Sequence, residues 1–196
     1  MHELINANIL KESPSITANV FTEEYLNILS CAYESPAEFM STACEQANTN
    51  NKFLKGKIFK SLIEHLLYRE NIKPLYVRTI FPFLPNVTFD LVLYAEDIGP
   101  IVLSIKTSLR ERYKQADLEG MFLRNVHRKA QSYLITMDEK AANSVNHKIS
   151  TGHVLGLDKV IYAGGNDLTQ LIDKLKQYTF FKPPMIEVMT AARIVE

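Results

Sequence analysis

An acid and a lysine on two neighbouring apolar stretches could carry metal-dependent chemistry. Asp90 lies within Val87–Tyr94, an otherwise mostly apolar stretch that predicts a β-strand. An ionised carboxylate there is costly unless a cation or a hydrogen-bond donor compensates it. Lys106 ends the run Ile101–Ile105, which is short and rich in β-branched residues and predicts a buried strand. A turn through residues 95–100 would set the strands side by side and bring Asp90 near Lys106, which is a metal site in outline.

The segment after Lys106 predicts a helix. Residues Arg110 to Glu119 are largely good helix formers, and either Thr107 or Ser108 could cap the helix. A lysine therefore ends a strand, and a charged helix follows it.

The order of strand, acid, strand and x-x-Lys resembles the PD-(D/E)XK nuclease superfamily, and within it the EcoRII, PspGI and NgoMIV branch of type II restriction endonucleases. In the common motif the residue two before the lysine is an acid, but here it is Ser104. In this branch a small residue can stand there, and the acid comes from the next helix, about thirteen residues after the lysine, which is Glu119 here. The branch also has an Arg/Lys-Asp/Glu-Arg triplet that begins four residues after the lysine. The matching residues are Arg110, Glu111 and Arg112.

The resemblance covers roughly Phe53 to Tyr178 and implies a role for each matched residue. Asp90 and Glu119 would bind Mg²⁺, which prefers oxygen ligands. Lys106 would orient the attacking water and stabilise the developing charge. The triplet would read neighbouring G·C pairs in the major groove, because arginine suits guanine and a carboxylate suits the amino group of cytosine. The branch implies a palindrome that contains CC and GG.

One matched pattern departs from the family. The related nucleases begin an earlier helix with G-K-x-F-E, and the glutamate of that pattern lies near the metals. This chain reads GKIFK over residues 56–60, so Lys60 stands where the family has its acid. Glu64 is one turn further along the same predicted helix face and could substitute, which makes it a further catalytic candidate. The alternatives are that Glu64 is structural and that Lys60 weakens or alters the metal chemistry.

The charge distribution favours a local rather than a general contact with nucleic acid. The chain has 22 basic and 22 acidic residues, so its net charge is zero, which argues against an indiscriminate nucleic-acid binder. Between Lys106 and Lys129, however, seven basic residues face three acids. This surplus could follow a phosphate backbone, although a solvated helix face is the alternative. The candidate backbone contacts are Lys114, Arg124, Arg128 and Lys129.

Strand and helix patterns alternate along the chain, which predicts an α/β fold with a restriction-endonuclease-like core, a central mixed β-sheet flanked by helices and a helical N-terminal segment. Residues 1–50 form that segment, which would pack on the core or make a dimer contact, and residues 51–196 form the nuclease domain. The polar run 46–51 is the predicted linker. Besides the stretches above, the pattern predicts helices at Phe21–Ala32, from Ser35 onward, and at Phe53–Asn71, Glu139–Ile149 and Asp167–Tyr178 with an Asn166 cap, and strands at Leu75–Phe81, Ser132–Thr136 and Lys159–Ala163.

Several other classes of protein find little support. No apolar run approaches the ~20 residues of a membrane span, and no secretion signal is recognisable, so we expect a cytoplasmic protein with no membrane partner. Cys31 and Cys44 have no metal-binding spacing and are predicted to be buried thiols within helices. The histidines lack the spacing of zinc sites. The Gly164-Gly165 turn lacks the further glycines of a phosphate loop, so we expect no nucleotide cofactor.

Together these observations predict a Mg²⁺-dependent type II restriction endonuclease. We expect it to cleave double-stranded DNA at a palindrome that contains CC and GG, and to act as a homodimer because two identical sites about a two-fold axis match such a palindrome. The alternative is a catalytically inactive DNA-binding protein, or a repair or junction nuclease, of the same fold.

Overall fold

The computed structural model describes residues 28–47, 50–84, 86–183 and 190–195. Over these ranges the helices are α1 Pro36–Gln46, α2 Lys52–Arg69, α3 Arg112–Val126, α4 Glu139–Ser150 and α5 Asn166–Leu175. The strands are β1 Leu75–Ile80, β2 Phe89–Ala95, β3 Gly99–Ile105, β4 Gln131–Thr136, β5 Lys159–Tyr162 and β6 Thr190–Val195.

The strands form a mixed sheet in the order β5-β4-β3-β2-β1-β6. The pairs β2/β3, β1/β2 and β1/β6 are antiparallel, whereas β3/β4 and β4/β5 are parallel. Leu91 faces Leu103 across β2 and β3, so the turn between these strands brings the start of β2 next to the end of β3. The predicted fold class, an α/β fold with a central mixed sheet flanked by helices, is confirmed.

Helices cover both faces of the sheet. One face packs against α1, α2 and α5 through apolar residues that include Phe39, Leu62, Leu93, Leu103 and Leu171. The other face packs against α3 and α4 through Ala116, Leu123, Val145 and their neighbours. From Leu91 to Leu93, successive residues of β2 lie in opposite layers, which is the two-residue period of a strand with both faces buried. Within the described ranges, no helix is long and apolar enough to span a bilayer.

The part of the N-terminal segment that the structure describes belongs to this core. Phe39, Met40 and Ala43 of α1 are buried among the side chains of α2 and α5. The Ser35 side chain accepts a hydrogen bond from the Glu38 N–H at 3.2 Å, which confirms the predicted helix start.

The clearest differences from the predictions concern three helices and one strand. The helix predicted from Arg110 begins at Arg112, and neither Thr107 nor Ser108 caps it, because the chain first turns to bury Leu109, whose carbonyl oxygen accepts from the Arg112 N–H. Helix α5 follows Gly165 and already includes Asn166, which was predicted as its cap, and it ends at Leu175. The described end of the helix predicted over Phe21–Ala32 is helical at 28–30 only, and Cys31 lies outside any helix; the rest of that prediction lies outside the described residues. Strand β6 was not predicted.

Candidate active site

Asp90 and Lys106 lie together at one end of the β2/β3 pair. Asp90 is the second residue of β2, and Lys106 follows the last residue of β3. The Lys106 ammonium Nζ is 2.9 Å from Asp90 Oδ2, and the backbone N–H of Ile105 donates to the same oxygen at 2.8 Å. The predicted proximity of the acid and the lysine is therefore present, and it follows from the antiparallel register of the two strands.

A second lysine contacts the other oxygen of the Asp90 carboxylate. Lys60 of α2 donates to Asp90 Oδ1 and forms an ion pair with it. The Lys60 side chain is 40% exposed, whereas those of Lys106 and Asp90 are 20% and 11% exposed. Burial by itself raises the pKa of Asp90, but Lys106, Lys60 and the Ile105 N–H outweigh it and hold that pKa below its ordinary value. Asp90 is therefore ionised at neutral pH and has a cation on each oxygen.

Glu119 approaches the same corner from α3, on the other face of the sheet. The Gln115 amide donates to Glu119 Oε1 at 2.7 Å. Burial is the main cause that raises the pKa of Glu119, the Gln115 amide and Lys106 lower it, and the charge of Asp90 raises it further. Glu119 is thus close enough to Asp90 and Lys106 for their charges to act on it.

Glu64 is buried in α2 and is held by β6. Arg193 of β6 donates to Glu64 Oε2 and forms an ion pair with it. Burial raises the pKa of Glu64 to about 7 despite Arg193 and Lys60, and the charge of Asp90 also raises it. The structure therefore places Glu64 against an arginine that sequence reasoning missed, because β6 was not predicted. The sequence contains no sign of this arginine, because Lys60, one turn earlier on the same predicted helix face, already offers Glu64 a basic partner.

The donor set at this corner fits a hard divalent cation. Among the described residues no group of three His, Cys, Asp or Glu side chains could hold a metal ion. Mg²⁺ retains several waters, however, and proteins often bind it through one or two carboxylates together with substrate phosphates. Asp90 and Glu119 supply two such carboxylates, although Lys60 stands on one oxygen of Asp90.

Two glycines fix the position of the helix that carries Glu119. A Cβ atom added at Gly120 would overlap the Gly156 carbonyl oxygen, and one added at Gly156 would overlap the backbone of Asp117. Asp117 Oδ1 also accepts the Gly156 N–H at 2.5 Å. Helix α3 therefore packs backbone to backbone on the loop around Gly156, with no side chain between them.

Arg124 strengthens this contact rather than projecting into solvent. Its guanidinium is 2.6 Å from Asp158 Oδ2, and it donates to the Leu155 carbonyl oxygen at 2.7 Å. Among the other predicted DNA-backbone residues, Arg128 and Lys129 are exposed, and Lys129 Nζ lies 3.5 Å from the Asp97 carbonyl oxygen.

The predicted recognition triplet lies on the turn into α3. Arg110, Glu111 and Arg112 are all exposed, and buried Leu109 anchors the turn. Glu111 forms an ion pair with Lys114 at 2.5 Å. Neither arginine forms an ion pair with another side chain in the described ranges, so both guanidinium groups can contact a ligand.

The backbone beside Asp90 departs from strand geometry. Arg78 in β1 has a left-handed backbone, with φ of 52°. The residues on either side of it pair with Leu91 and Phe89, so Arg78 falls opposite Asp90 in the register. A left-handed residue with a side chain costs roughly 1–2 kcal/mol. Such backbone strain is concentrated at functional sites.

Taken together, this strand order and the helical layers form a restriction-endonuclease-like fold. A solved structure described as a "Restriction endonuclease PspGI-substrate DNA complex" is similar to this chain, with a TM-score of 0.57 and 16% sequence identity over 87% of this chain and 83% of that one. No protein-family model matches the chain. No curated protein sequence matches it either. At this identity the similarity shows the fold alone.

Proposed function

We propose that this protein is a Mg²⁺-dependent type II restriction endonuclease. The observation that carries the proposal is the pairing of Asp90 with Lys106 at one end of the β2/β3 pair, within a restriction-endonuclease-like fold, with Glu119 of α3 near enough for both charges to act on it. Two carboxylates can hold a metal ion for phosphodiester hydrolysis, and a lysine beside them can stabilise the charge that develops. Aspartate and lysine alone form many structural ion pairs, so the convergence of Glu119 from a separate helix is what distinguishes this site.

Each residue has a role in that chemistry. Asp90 and Glu119 hold Mg²⁺, which when bound lowers the pKa of a water and neutralises charge on the phosphate. Lys106 orients the attacking water and stabilises the negative charge that develops on the phosphate oxygens. Glu64 is paired with Arg193, so it holds α2 against β6 and does not serve as a further metal ligand.

The turn before α3 reads the DNA. Arg110 and Arg112 each take a guanine through O6 and N7, and Glu111 accepts from the cytosine amino groups. Such contacts suit a palindrome that contains CC and GG. Arg128 and Lys129 follow the phosphate backbone, and Lys114 joins them when DNA displaces it from Glu111.

The functional unit is a homodimer, and an exposed apolar stripe on α3 supports this. Its exposed large apolar residues are Leu118, Met121, Phe122 and Val126. From Gln115 to Val126 no exposed residue of α3 carries a charge. A two-fold contact brings residues near the axis next to their own copies, so an uncharged stripe there avoids like-charge repulsion. Sedimentation should show a dimer, Phe122→Glu should give a monomer, and Phe53→Glu, an exposed site on α2, should leave the dimer intact. A wild-type monomer both free and on DNA would contradict the homodimer.

A second function should be tested because Lys60 donates to an oxygen of Asp90 that would bind the metal. A protein of this fold in which Lys60 permanently excludes the metal would bind DNA without cutting it. Plasmid digestion with and without Mg²⁺ distinguishes the possibilities. Discrete fragments that require Mg²⁺ support the restriction endonuclease, a gel shift without cutting indicates a DNA-binding protein, and cleavage of branched DNA alone indicates a junction nuclease.

A further inference from the structure

Lys60 is the cation beside Asp90 for which the proposed reaction has no role. Asp90 Oδ2 already accepts from Lys106 and from the Ile105 N–H, whereas in the described structure Lys60 is the partner of Oδ1. A metal ion that binds Asp90 must therefore take Oδ1. Lys60 and the metal compete for the same oxygen atom.

The charges at the corner disfavour a metal without DNA. Lys60 and Lys106 together outweigh the single charge of Asp90, and the charge of Glu64 is paired with Arg193. When the carboxylate of Glu119 is added to these three side chains, the net charge of the corner is zero. A dication added beside two ammonium groups would be repelled, and this repulsion falls only when a cation leaves or when phosphate anions arrive.

Lys60 is able to leave. Its side chain is 40% exposed, which is twice the exposure of Lys106. A lysine head group is a compact charge on a flexible stem, so it can turn toward solvent or toward another anion without any movement of α2. A phosphate of bound DNA is such an anion.

We propose that Lys60 is a tethered cation that occupies the metal-binding oxygen of Asp90 and releases it to the metal by moving onto a DNA phosphate. The inference rests on the proposed function, because it assumes that Asp90 holds Mg²⁺. It makes metal binding weak in the free protein and couples it to DNA binding.

Mn²⁺ binding to the metal-stripped protein without DNA tests the competition. The signal of free Mn²⁺ in electron paramagnetic resonance reports binding independently of cleavage. Lys60→Met should bind Mn²⁺ roughly tenfold more tightly than the wild type, which is within the usual range of coupling between sites. Lys57→Met is the matched control, since it removes the same charge from the same helix at a lysine that lies over the Phe53 ring. Lys60→Gln is a second variant in case the methionine variant does not fold.

The salt dependence of duplex DNA binding in EDTA tests whether Lys60 moves onto a DNA phosphate. If Lys60 moves onto a phosphate, the log–log salt slope of Lys60→Met should be smaller than that of the wild type by about one contact, as for any lost phosphate contact. The proposal is overturned if Lys60→Met and Lys60→Gln bind Mn²⁺ no more tightly than wild type and Lys57→Met, or if the slope does not change. Plasmid cleavage by the wild type with Mg²⁺ separates this failure from a failure of the nuclease assignment.

Discussion

The Lys106 ammonium lies 2.9 Å from Asp90 Oδ2, yet Asp90 does not depend on Lys106 alone, because Lys60 and the Ile105 N–H also contact its carboxylate. Asp90 therefore keeps a cation and a hydrogen-bond donor when Lys106 is removed. Lys106→Ala should fold and bind specific DNA, while the cleavage rate falls by on the order of 10²–10³, as when one donor to a developing charge is lost. Single-turnover cleavage and a gel shift measure the two effects. Lys140→Ala, at an exposed position of α4, is the control, and undiminished cutting by Lys106→Ala would end the catalytic assignment.

Arg110 and Arg112 should determine sequence preference. Replacing either with Ala should cost about 1–3 kcal/mol of discrimination between a CC/GG site and unrelated DNA, because a bidentate contact to guanine is lost. Anisotropy titrations at fixed salt on both duplexes measure this difference. Arg128→Ala is the comparison, since loss of a backbone contact should weaken both complexes alike. Equal weakening by the Arg110 and Arg112 variants would make them phosphate contacts and not base readers.

Two helix glycines should respond to alanine in opposite directions. Gly120→Ala should destabilise the fold by about 1–3 kcal/mol, because the added methyl overlaps the Gly156 carbonyl oxygen. Gly56→Ala in α2 should stabilise it by roughly 0.5–1 kcal/mol, since a Cβ there meets no atom within 4 Å and alanine is the better helix former. Urea unfolding of both variants measures the free energies. An unchanged free energy of unfolding in Gly120→Ala would show that α3 can move away from the loop around Gly156.

His65 should make the fold sensitive to mild acid. Burial lowers the pKa of His65 to about 4; the Leu29 carbonyl oxygen, 2.8 Å from Nε2, acts in the opposite sense, and Arg69 lowers the pKa slightly. The unfolded chain binds a proton near pH 6.5 and the folded chain only near pH 4, so between these values the free energy of unfolding falls as the pH falls. The loss is on the order of 3 kcal/mol when complete.

Unfolding of His65→Phe over this pH range isolates that contribution. Its stability should change less between about pH 7 and pH 4.5 than that of the wild type, because the carboxylates contribute equally to both proteins. The exposed-site variant His153→Asn should follow the wild type. Parallel curves for all three proteins would show that His65 does not control the acid sensitivity.

The sequence was sufficient where contacts are local in the chain. Asp90 and Lys106 sit on consecutive strands joined by a short turn, so the pattern of apolar residues brings them together. Ser35 and Glu38 predict their helix start for the same reason, since a cap involves neighbours only.

The sequence was insufficient where the contact depends on packing between distant segments. Lys60 meets Asp90, and Arg193 meets Glu64, only after α2 and β6 have docked on the sheet. The left-handed backbone of Arg78 gave no signal, because glycine or asparagine is the residue usually expected in that conformation. The start of α3 was misplaced because burial of Leu109 outweighed the local capping preference of Ser108.

The contact between Gly120 and Gly156 has a genetic consequence. Helix α3 carries Glu119, so its contact with the loop around Gly156 sets the spacing between the carboxylates of Glu119 and Asp90. The proposed reaction does not use that loop. A random-mutagenesis screen for loss of cleavage should therefore recover substitutions at both glycines alongside those at Asp90 and Lys106. Read without the structure, such a map would assign Gly156 to the DNA surface, whereas its effect is on the distance between two acids.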